Sequence, residues 1–185
     1  MKRRCFWVSD DKLSQDYHDF EWGKPVYDDK ILFEFLLLES FQAGLSWITI
    51  LKKRENFRVA FDDFDYKKIA NYQEQKVDEL MNNAGIVRHN LKIRSAIANA
   101  KLFMKIQDEY GSFSSYIWGF VNGKPILNRF NNKEEIPAKT SLSDMISKDL
   151  KKKGFKFVGS TIIYAFMQAI GLVNDHTKNC FKFQG

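Results

Sequence analysis

The stretch DDKILFEFLLLESFQAG, at residues 28–44, decides the fold because it predicts a long apolar helix. Asp28 or Asp29 is a candidate N-cap residue, whose carboxylate accepts hydrogen bonds from the amides of the first turn. Gly44 suits the end of the helix, so roughly four turns fit between these residues. The segment is apolar on nearly all sides, and the pattern therefore leaves open which side faces the core.

Glu39 interrupts this apolar helix. In helical geometry it shares one stripe with Leu32, Phe35, Leu36 and Ala43. A buried carboxylate is costly unless it is paired or has a chemical role. One interpretation is therefore a functional carboxylate within the core, and the other is a side chain that reaches solvent from an all-round apolar helix.

Further helices are predicted on both sides of a loop region that spans residues 118–137. Their sequences are SWITILKKRENFRVAF (46–61), YQEQKVDELMNNAG (72–85), HNLKIRSAIANAKLFMKIQDEYG (89–111), SLSDMISKDLKKKG (141–154) and STIIYAFMQAIGLV (160–173). The apolar positions expected in the 89–111 helix are Leu91, Ala98, Leu102 and Ile106. The last helix is expected to begin at a Ser/Thr cap and to close at Gly171.

These patterns favour a compact all-α protein with one domain over residues 1–185, because the sequence contains no repeat and no low-complexity linker. A chain of 185 residues can bury about 70% of its unfolded surface around one core. The residues after MKRR form no secretory signal, and no apolar run has the length of a membrane span. We therefore expect a cytoplasmic protein with no membrane partner.

The formal charge of +6 comes with lysine and arginine clusters at 52–55, 88–94 and 148–157. Such clusters suit a polyanion, because neutralising phosphates releases counterions. A solvated, lysine-rich surface accounts for the same charge. Charge alone leaves both interpretations open.

The two cysteines each lie near a histidine, one pair at each end of the chain. Cys5 and His18 lie near the start, and His176 and Cys180 lie in NDHTKNC at 174–180. In a reducing compartment, free thiols or metal ligands are favoured over a disulfide. The spacing of either pair alone is a weak metal signal.

Four aromatic residues, Trp7, Tyr17, Trp22 and Trp47, lie beside polar residues. Their rings would stack well on a planar base, since base–aromatic stacking contributes about 1–3 kcal/mol per base. Large aromatic residues of helical proteins also serve as core with a satisfied polar tip. Their spacing does not distinguish the two.

The segment LMNNAGIVRHNLKI, at residues 80–93, predicts two helices joined by a tight turn at Gly85. The amides of Gly85, Ile86 and Val87 are candidate contacts for a DNA phosphate, with Lys151 to Lys153 as a looser candidate. An ordinary αα-hairpin explains the same pattern. His89, beside the turn, is interpreted as a phosphate neighbour or a surface residue.

Several long blocks of the chain resemble the type I 3-methyladenine DNA glycosylases. The blocks are YHDFEWG (17–23), LESFQAGLSWITILKKRENFRVAF (38–61), NAGIVRHNLKI (83–93) and GFKFVGSTIIYAFMQAIGLVNDH (154–176). They occur in the order and spacing of that family, and the resemblance runs from Arg4 to Cys180. It implies a fold of the helix-hairpin-helix DNA glycosylase superfamily and hydrolytic release of 3-methyladenine from alkylated DNA.

The resemblance also implies a structural Zn²⁺ that joins the termini. Its ligands would be Cys5, His18, His176 and Cys180. Two other interpretations stay open: a DNA-binding module without activity, and a hydrolase whose zinc activates water. Four protein ligands leave no open coordination position, which favours the structural role.

The base pocket implied by the resemblance contains Glu39, Tyr17 and Trp47, with Trp7 and Trp22 nearby. Glu39 is the expected catalytic or base-recognising carboxylate, and the aromatic rings would stack on a flipped, positively charged base. Some relatives carry a further aromatic residue where this chain has Ser14, so one pocket wall is expected to differ.

The expected partners are double-stranded DNA carrying 3-methyladenine and the free base as product. Hydrolysis is expected to be monofunctional, because the resemblance supplies no amine nucleophile. The protein is expected to act as a monomer in the cytoplasm, associated with the nucleoid through DNA.

Overall fold

The computed structural model describes residues 2–184 and is mostly helical. Met1 and Gly185, which complete the predicted 1–185 domain, lie outside the described residues. Within the described range the helices are α1 (Lys12–Phe20), α2 (Asp29–Gln42), α3 (Trp47–Ala60), α4 (Tyr66–Ile69), α5 (Glu74–Asn82), α6 (Asn90–Tyr110), α7 (Phe113–Gly119), α8 (Ser141–Lys152) and α9 (Ser160–Ala169).

Helix α2 is the central element of the fold. The Asp28 carboxylate caps it by accepting a hydrogen bond from the Ile31 amide at 3.0 Å, which confirms the predicted start. Every residue from 32 to 41 is buried, because α3, α6, α7 and α9 all pack around this helix. The helix therefore has no solvent-facing side along these residues, and the interpretation in which Glu39 reaches solvent is wrong.

The C-terminal end of α2 is capped by a lysine from another helix. The buried Lys92 Nζ, in the first turn of α6, donates to the carbonyls of Phe41 and Ala43 at 2.8 and 2.9 Å. The last carbonyls of a helix receive no hydrogen bond from the helix itself, so the lysine supplies the missing donor. Its positive charge also interacts favourably with the negative end of the helix dipole. Burial lowers the pKa of Lys92. The chain then turns at Gly44, whose φ of +84° favours glycine.

The predicted helices are confirmed, with two corrections of detail. In α6 Leu91 and Ala98 are exposed, and the buried side instead includes Ile93, Ala96 and Ile97. Helix α9 has no side-chain cap, because its N-cap residue is Gly159. The adjacent Ser160 Oγ instead hydrogen-bonds to Ser143 Oγ in α8 at 2.8 Å.

Helices α1, α4 and α7 were not predicted. Each has nine residues or fewer, so each shows too few turns for a helical period to be recognised. Helix α1 is also mostly polar, and its start is fixed by the Asp11 carboxylate, which accepts from the Leu13 amide at 3.0 Å. This short helix carries Tyr17 and His18 into the interior.

The predicted loop region contains a strand, so the all-α prediction needs a small correction. β1 (Ile126–Leu127) pairs in parallel with β2 (Val173–Asn174). The pair is bounded by hydrogen bonds from the Ile126 amide to the Leu172 carbonyl and from the Asn128 amide to the Asn174 carbonyl, both at 3.0 Å. The pair holds the loop against the segment that follows α9.

Both ends of the described chain also meet. The Phe181 amide donates to the Arg3 carbonyl at 2.9 Å. None of the described helices is long and apolar enough to cross a membrane.

Candidate functional site

A cavity of about 510 Å³ lies between α1, α2, α3 and α9. The structure brings all five predicted pocket residues into its lining: Trp7, Tyr17, Trp22, Glu39 and Trp47. Their roles in binding stay predictions, but their common location agrees with one binding site. Most of the exposed surface inside the cavity is apolar, and polar side chains are placed around it, which is typical of a site for a small molecule.

Glu39 is the acidic group of the cavity. Its side chain is 3% exposed, and its carboxyl makes no hydrogen bond or ion pair with any residue between 2 and 184. Burial raises its pKa from 4.5 to about 8. An unpartnered carboxyl in this environment favours its neutral form until a cation enters the cavity.

The aromatic residues surround this carboxyl as a connected group. The ring centroid of Tyr17 lies 5.3 Å from that of Trp47 and 6.0 Å from that of Trp7. Trp7 and Trp22 meet edge to face at 5.0 Å. Burial, and then the charge of Glu39, raise the pKa of Tyr17, so its hydroxyl stays protonated as a hydrogen-bond donor.

Two buried donors of this aromatic group have no partner among the described residues. The indole nitrogens of Trp7 and Trp47 make no hydrogen bond within the described chain. A buried donor without an acceptor costs about 1–3 kcal/mol.

Ion pairs hold α1 beside α2 and α3. The Arg54 guanidinium, on α3, donates to the Glu21 carboxylate at 2.9 and 2.8 Å and to Glu34 at 2.7 Å. Glu21 ends α1 and Glu34 lies on α2. One partly buried arginine therefore links the three helices that carry Tyr17, Glu39 and Trp47.

Ser14 occupies a buried position in the cavity lining. Its Oγ accepts a hydrogen bond from the Ser9 amide at 3.2 Å. The small hydroxyl therefore serves the backbone that precedes α1. No aromatic ring covers the cavity from this position.

The four predicted metal ligands converge at one buried point. The ligand atoms of Cys5, His18, His176 and Cys180 all lie within 4.8 Å of one another. Cys180 Sγ lies 3.3 Å from His18 Nε2 and 3.5 Å from His176 Nδ1, and Cys5 Sγ also lies 3.5 Å from His176 Nδ1. In a tetrahedral zinc site with zinc–sulfur and zinc–nitrogen bonds of ordinary length, any two ligand atoms lie about 3.5 Å apart.

Both cysteines are free thiols rather than a disulfide. Hydrogen bonds from Cys5, and then from His176 and His18, lower the pKa of the Cys180 thiol. The hydrogen bond between the two cysteines is the largest cause that raises the pKa of the Cys5 thiol. A lowered pKa favours the thiolate, which is the form of cysteine that binds a metal.

Each histidine of this cluster is oriented by a second hydrogen bond. His18 Nδ1 lies 2.8 Å from an Asp19 carboxylate oxygen, and Arg4 binds the same carboxylate through two hydrogen bonds at 2.9 and 2.8 Å. The hydrogen bond from Arg4, and then that of His18, lower the pKa of Asp19 to about 2. His176 Nε2 lies 3.2 Å from the Trp22 carbonyl, which directs its Nδ1 to the cluster.

Two of the three backbone amides predicted to contact a DNA phosphate at the Gly85 hairpin form hydrogen bonds within the turn. The Gly85 amide donates to Asn83 Oδ1 at 2.8 Å, and the Ile86 amide donates to the Asn83 carbonyl at 3.4 Å. The Val87 amide makes no hydrogen bond with another described residue.

His89 is exposed and caps α6, where its Nδ1 accepts from the Lys92 amide at 3.3 Å. Lys153 pairs with Glu109 at 3.1 Å, which leaves the exposed Lys151 and Lys152 from that cluster.

Sequence reasoning missed the far wall of the cavity. This wall consists of Thr161, Tyr164, Ala165 and Gln168 from α9 and Ile136, Pro137 and Ala138 from the loop region. Tyr164, Thr161 and Gln168 recur at helical spacing on one side of α9. That spacing was the available signal, but it was interpreted only as a helix pattern.

Comparison with known proteins now places this geometry in a family. The family described as methyladenine glycosylase matches residues 7–183. The chain belongs to this family. DNA-3-methyladenine glycosylase 1 of Escherichia coli (strain K12) is 52% identical over 182 residues, which cover 98% of this chain and 97% of the relative.

Other relatives agree. The DNA-3-methyladenine glycosylase of Haemophilus influenzae is 49% identical over 180 residues, covering 97% of each chain. A crystal structure of a 3-methyladenine DNA glycosylase I superimposes with a TM-score of 0.96 at 50% identity, covering 98% of this chain and 100% of that chain. A structure that shows the basis of 3-methyladenine recognition by 3-methyladenine DNA glycosylase I from Staphylococcus aureus has a TM-score of 0.95 at 40% identity. It covers 98% of this chain and 97% of that chain.

The burial of Glu39 predicts a pH-dependent stability difference for Glu39→Gln. Because the folded-state pKa of about 8 exceeds the ordinary 4.5, the stability contributed by neutral Glu39 is complete below about pH 4.5 and is lost as pH rises towards 8. The glutamine variant does not titrate. Its free energy of unfolding relative to wild type should therefore rise by roughly 3 kcal/mol between pH 5 and pH 8.

Urea unfolding at both pH values measures this difference. Glu134→Gln, at an exposed glutamate, is the matched control and should show a difference near zero. Parallel stability curves for Glu39→Gln and wild type would show that the Glu39 carboxyl ionises normally in the fold.

Proposed function

We propose that this protein is a DNA glycosylase that hydrolyses the N-glycosidic bond of 3-methyladenine in alkylated double-stranded DNA. The reaction releases the free base, leaves an abasic site and starts base-excision repair. The observation that supports it most is the unpartnered Glu39 carboxyl, buried in an aromatic cavity of a chain from the methyladenine glycosylase family.

The chemistry of the substrate suits this cavity. Methylation of the ring nitrogen gives adenine a positive charge, which weakens the glycosidic bond and makes the base a good leaving group. Little acid catalysis is then required from the protein. The positive base would favour ionisation of Glu39, whereas neutral adenine would leave an ionised carboxylate without compensation. Charge is therefore the basis of discrimination.

The base must leave the duplex to reach this site. Flipping costs a few kcal/mol and is least costly for a damaged base. In our proposal Tyr17 and Trp47 stack on the flipped ring, and Trp7 and Trp22 complete the aromatic wall. The attraction between a cation and these ring faces adds to stacking. Glu39 accepts hydrogen bonds from the base edge.

We also propose that the protein acts as a monomer. A DNA substrate, together with the bacterial relatives, supports action in the cytoplasm at the nucleoid.

Incubation with methylated duplex DNA, followed by identification of the released base, tests the activity. Wild type should release 3-methyladenine, and Glu39→Gln should release it at least about tenfold more slowly, because the charged hydrogen-bond acceptor is lost. Glu134→Gln should match wild type. Borohydride should trap no covalent DNA adduct.

Different outcomes identify other functions. Tight binding of methylated DNA without base release would indicate a non-catalytic binding module. Release of 7-methylguanine as the main product would contradict the proposed substrate. Undiminished excision by a folded Glu39→Gln variant would remove Glu39 from the mechanism.

We also propose that Cys5, His18, His176 and Cys180 hold a structural zinc ion. The support is a buried set of two thiols and two imidazoles with separations that suit tetrahedral coordination. Bound zinc would supply a permanent link between the two ends of the chain. His18 directly follows Tyr17, and His176 Nε2 donates to the Trp22 carbonyl, so the link would hold two aromatic residues of the cavity lining.

Metal analysis and thermal unfolding test the zinc proposal without reference to activity. The purified protein should contain about one zinc per chain, and removal by a chelator should lower the melting temperature. His18→Ala should lose the metal, while the exposed His89→Ala should retain it. Absence of zinc from the purified protein, or a Cys5–Cys180 disulfide, would contradict the proposal.

We further propose that α8 and α9 form the hairpin that contacts the DNA backbone, consistent with the helix-hairpin-helix superfamily. Gly154 and Gly159 bound the turn between these helices, and no side chain caps α9. The first turn of α9 also borders the cavity through Thr161. A phosphate next to a flipped nucleotide must lie near the cavity, and a helix N-terminus binds phosphate well.

Acidic substitutions at matched helical positions distinguish the two hairpins. Thr161→Glu, the second residue of α9, should weaken duplex binding about tenfold and reduce the salt dependence. Leu91→Glu, the second residue of α6, should bind within about twofold of wild type. Because Thr161 borders the cavity, affinity for free 3-methyladenine is measured for both variants, and only a loss of duplex affinity larger than any loss of base affinity is assigned to the DNA backbone. The reverse pattern would instead support the Gly85 hairpin, and unchanged binding by both variants would contradict both sites.

A further inference from the structure

Asp175 is a fully buried carboxylate next to the cavity, at 0% exposure. It accepts three hydrogen bonds from side chains: Tyr164 Oη at 2.5 Å, Gln168 Nε2 at 2.8 Å and Asn128 Nδ2 at 2.7 Å. All three donors come from other parts of the chain. Asp175 therefore connects three side chains and is not an isolated buried charge.

Two of these donors belong to the wall of the cavity. Tyr164 and Gln168 lie one turn apart on α9, and both line the cavity that contains Glu39. Asp175 itself is absent from the lining, and both of its oxygens are already hydrogen-bonded. This arrangement excludes direct contact with a bound base and indicates a role through the two side chains of α9.

The hydrogen bond to Asp175 also fixes the orientation of the Gln168 amide. A carboxylate only accepts, so the nitrogen of this amide must face Asp175. The oxygen is then the end of the amide that remains available on the cavity side. A fixed acceptor suits a base that carries an amino group.

The third donor links the loop wall to the same carboxylate. Asn128 directly follows β1, and its backbone amide donates to the Asn174 carbonyl at 3.0 Å. The chain then continues to residues 136–138, which belong to the same far wall of the cavity as α9. Asp175 thus connects α9 to the chain segment that leads to the rest of this wall.

We propose that Asp175 is a positioning residue for base recognition, which acts by fixing Tyr164 and Gln168 in the cavity wall. This inference rests on the proposed glycosylase function. Asp175→Asn places an amide donor among three donors, so at least one of them must rotate away. Its affinity for free 3-methyladenine should fall about tenfold, and the KM for excision should rise more than kcat falls.

Double-mutant cycles separate positioning from a general effect on folding. Gln168→Ala and Tyr164→Phe should each weaken binding of free 3-methyladenine several-fold. If Asp175 acts through these side chains, Asp175→Asn should cost much less in a variant that already lacks both donors. Tyr116→Phe is the matched control, because Tyr116 donates to the Asp149 carboxylate at 2.8 Å without lining the cavity. It should leave affinity for the base unchanged within about twofold.

Two results would overturn the inference. One is wild-type affinity in both Gln168→Ala and Tyr164→Phe, which are informative even if Asp175→Asn does not fold. The other is a loss of affinity from Asp175→Asn that is as large in the variant lacking both donors as it is in wild type. A wild-type protein that releases no 3-methyladenine from methylated DNA would instead contradict the proposed function.

Discussion

The cost of removing the Glu39 carboxyl from water is the constraint on which the rest of the structure depends. No cation of the described chain offsets it, and the pKa of about 8 reflects burial alone. Such a group must be paired or neutral, and other interactions of the fold must offset its cost. The complete burial of α2 and the lysine cap at its end are among these interactions. In the proposed mechanism the substrate supplies the missing positive charge.

The elements around this carboxyl are short, and they are held by polar contacts at specific points. Arg54 joins three helices, the Cys/His cluster joins the two ends, and Asp175 joins α9 to the loop region. A purely apolar interface would allow small sliding movements between helices. Directional hydrogen bonds fix the separation of the cavity walls, as recognition of a flat ring requires.

Much of the fold could be predicted from the sequence, because capping residues and helical periodicity are local signals. Asp28 and Gly44 bounded α2 correctly, but periodicity could not decide the burial of Glu39, since neighbours on all sides determine it. The cavity residues near the N-terminus came from the resemblance to a family. Tyr164, Gln168 and Asp175 were missed as site residues because their importance comes from contacts with distant segments. The phosphate contact predicted at Gly85 shows a related limit, since the internal hydrogen bonds of that turn are visible only in three dimensions.

The meeting of the termini has a consequence for synthesis of the protein on the ribosome. His176 contacts the Trp22 carbonyl across 154 residues, and Cys180 contacts His18 across 162. The N-terminal aromatic residues therefore leave the ribosome long before the residues that enclose them. Nearly the whole chain must be released before the cavity can close, and contacts of such high sequence separation form late. Until then, the N-terminal aromatic residues lack the contacts of the C-terminal segment, and a chain that ends shortly before Asp175 lacks the carboxylate that holds Tyr164 and Gln168.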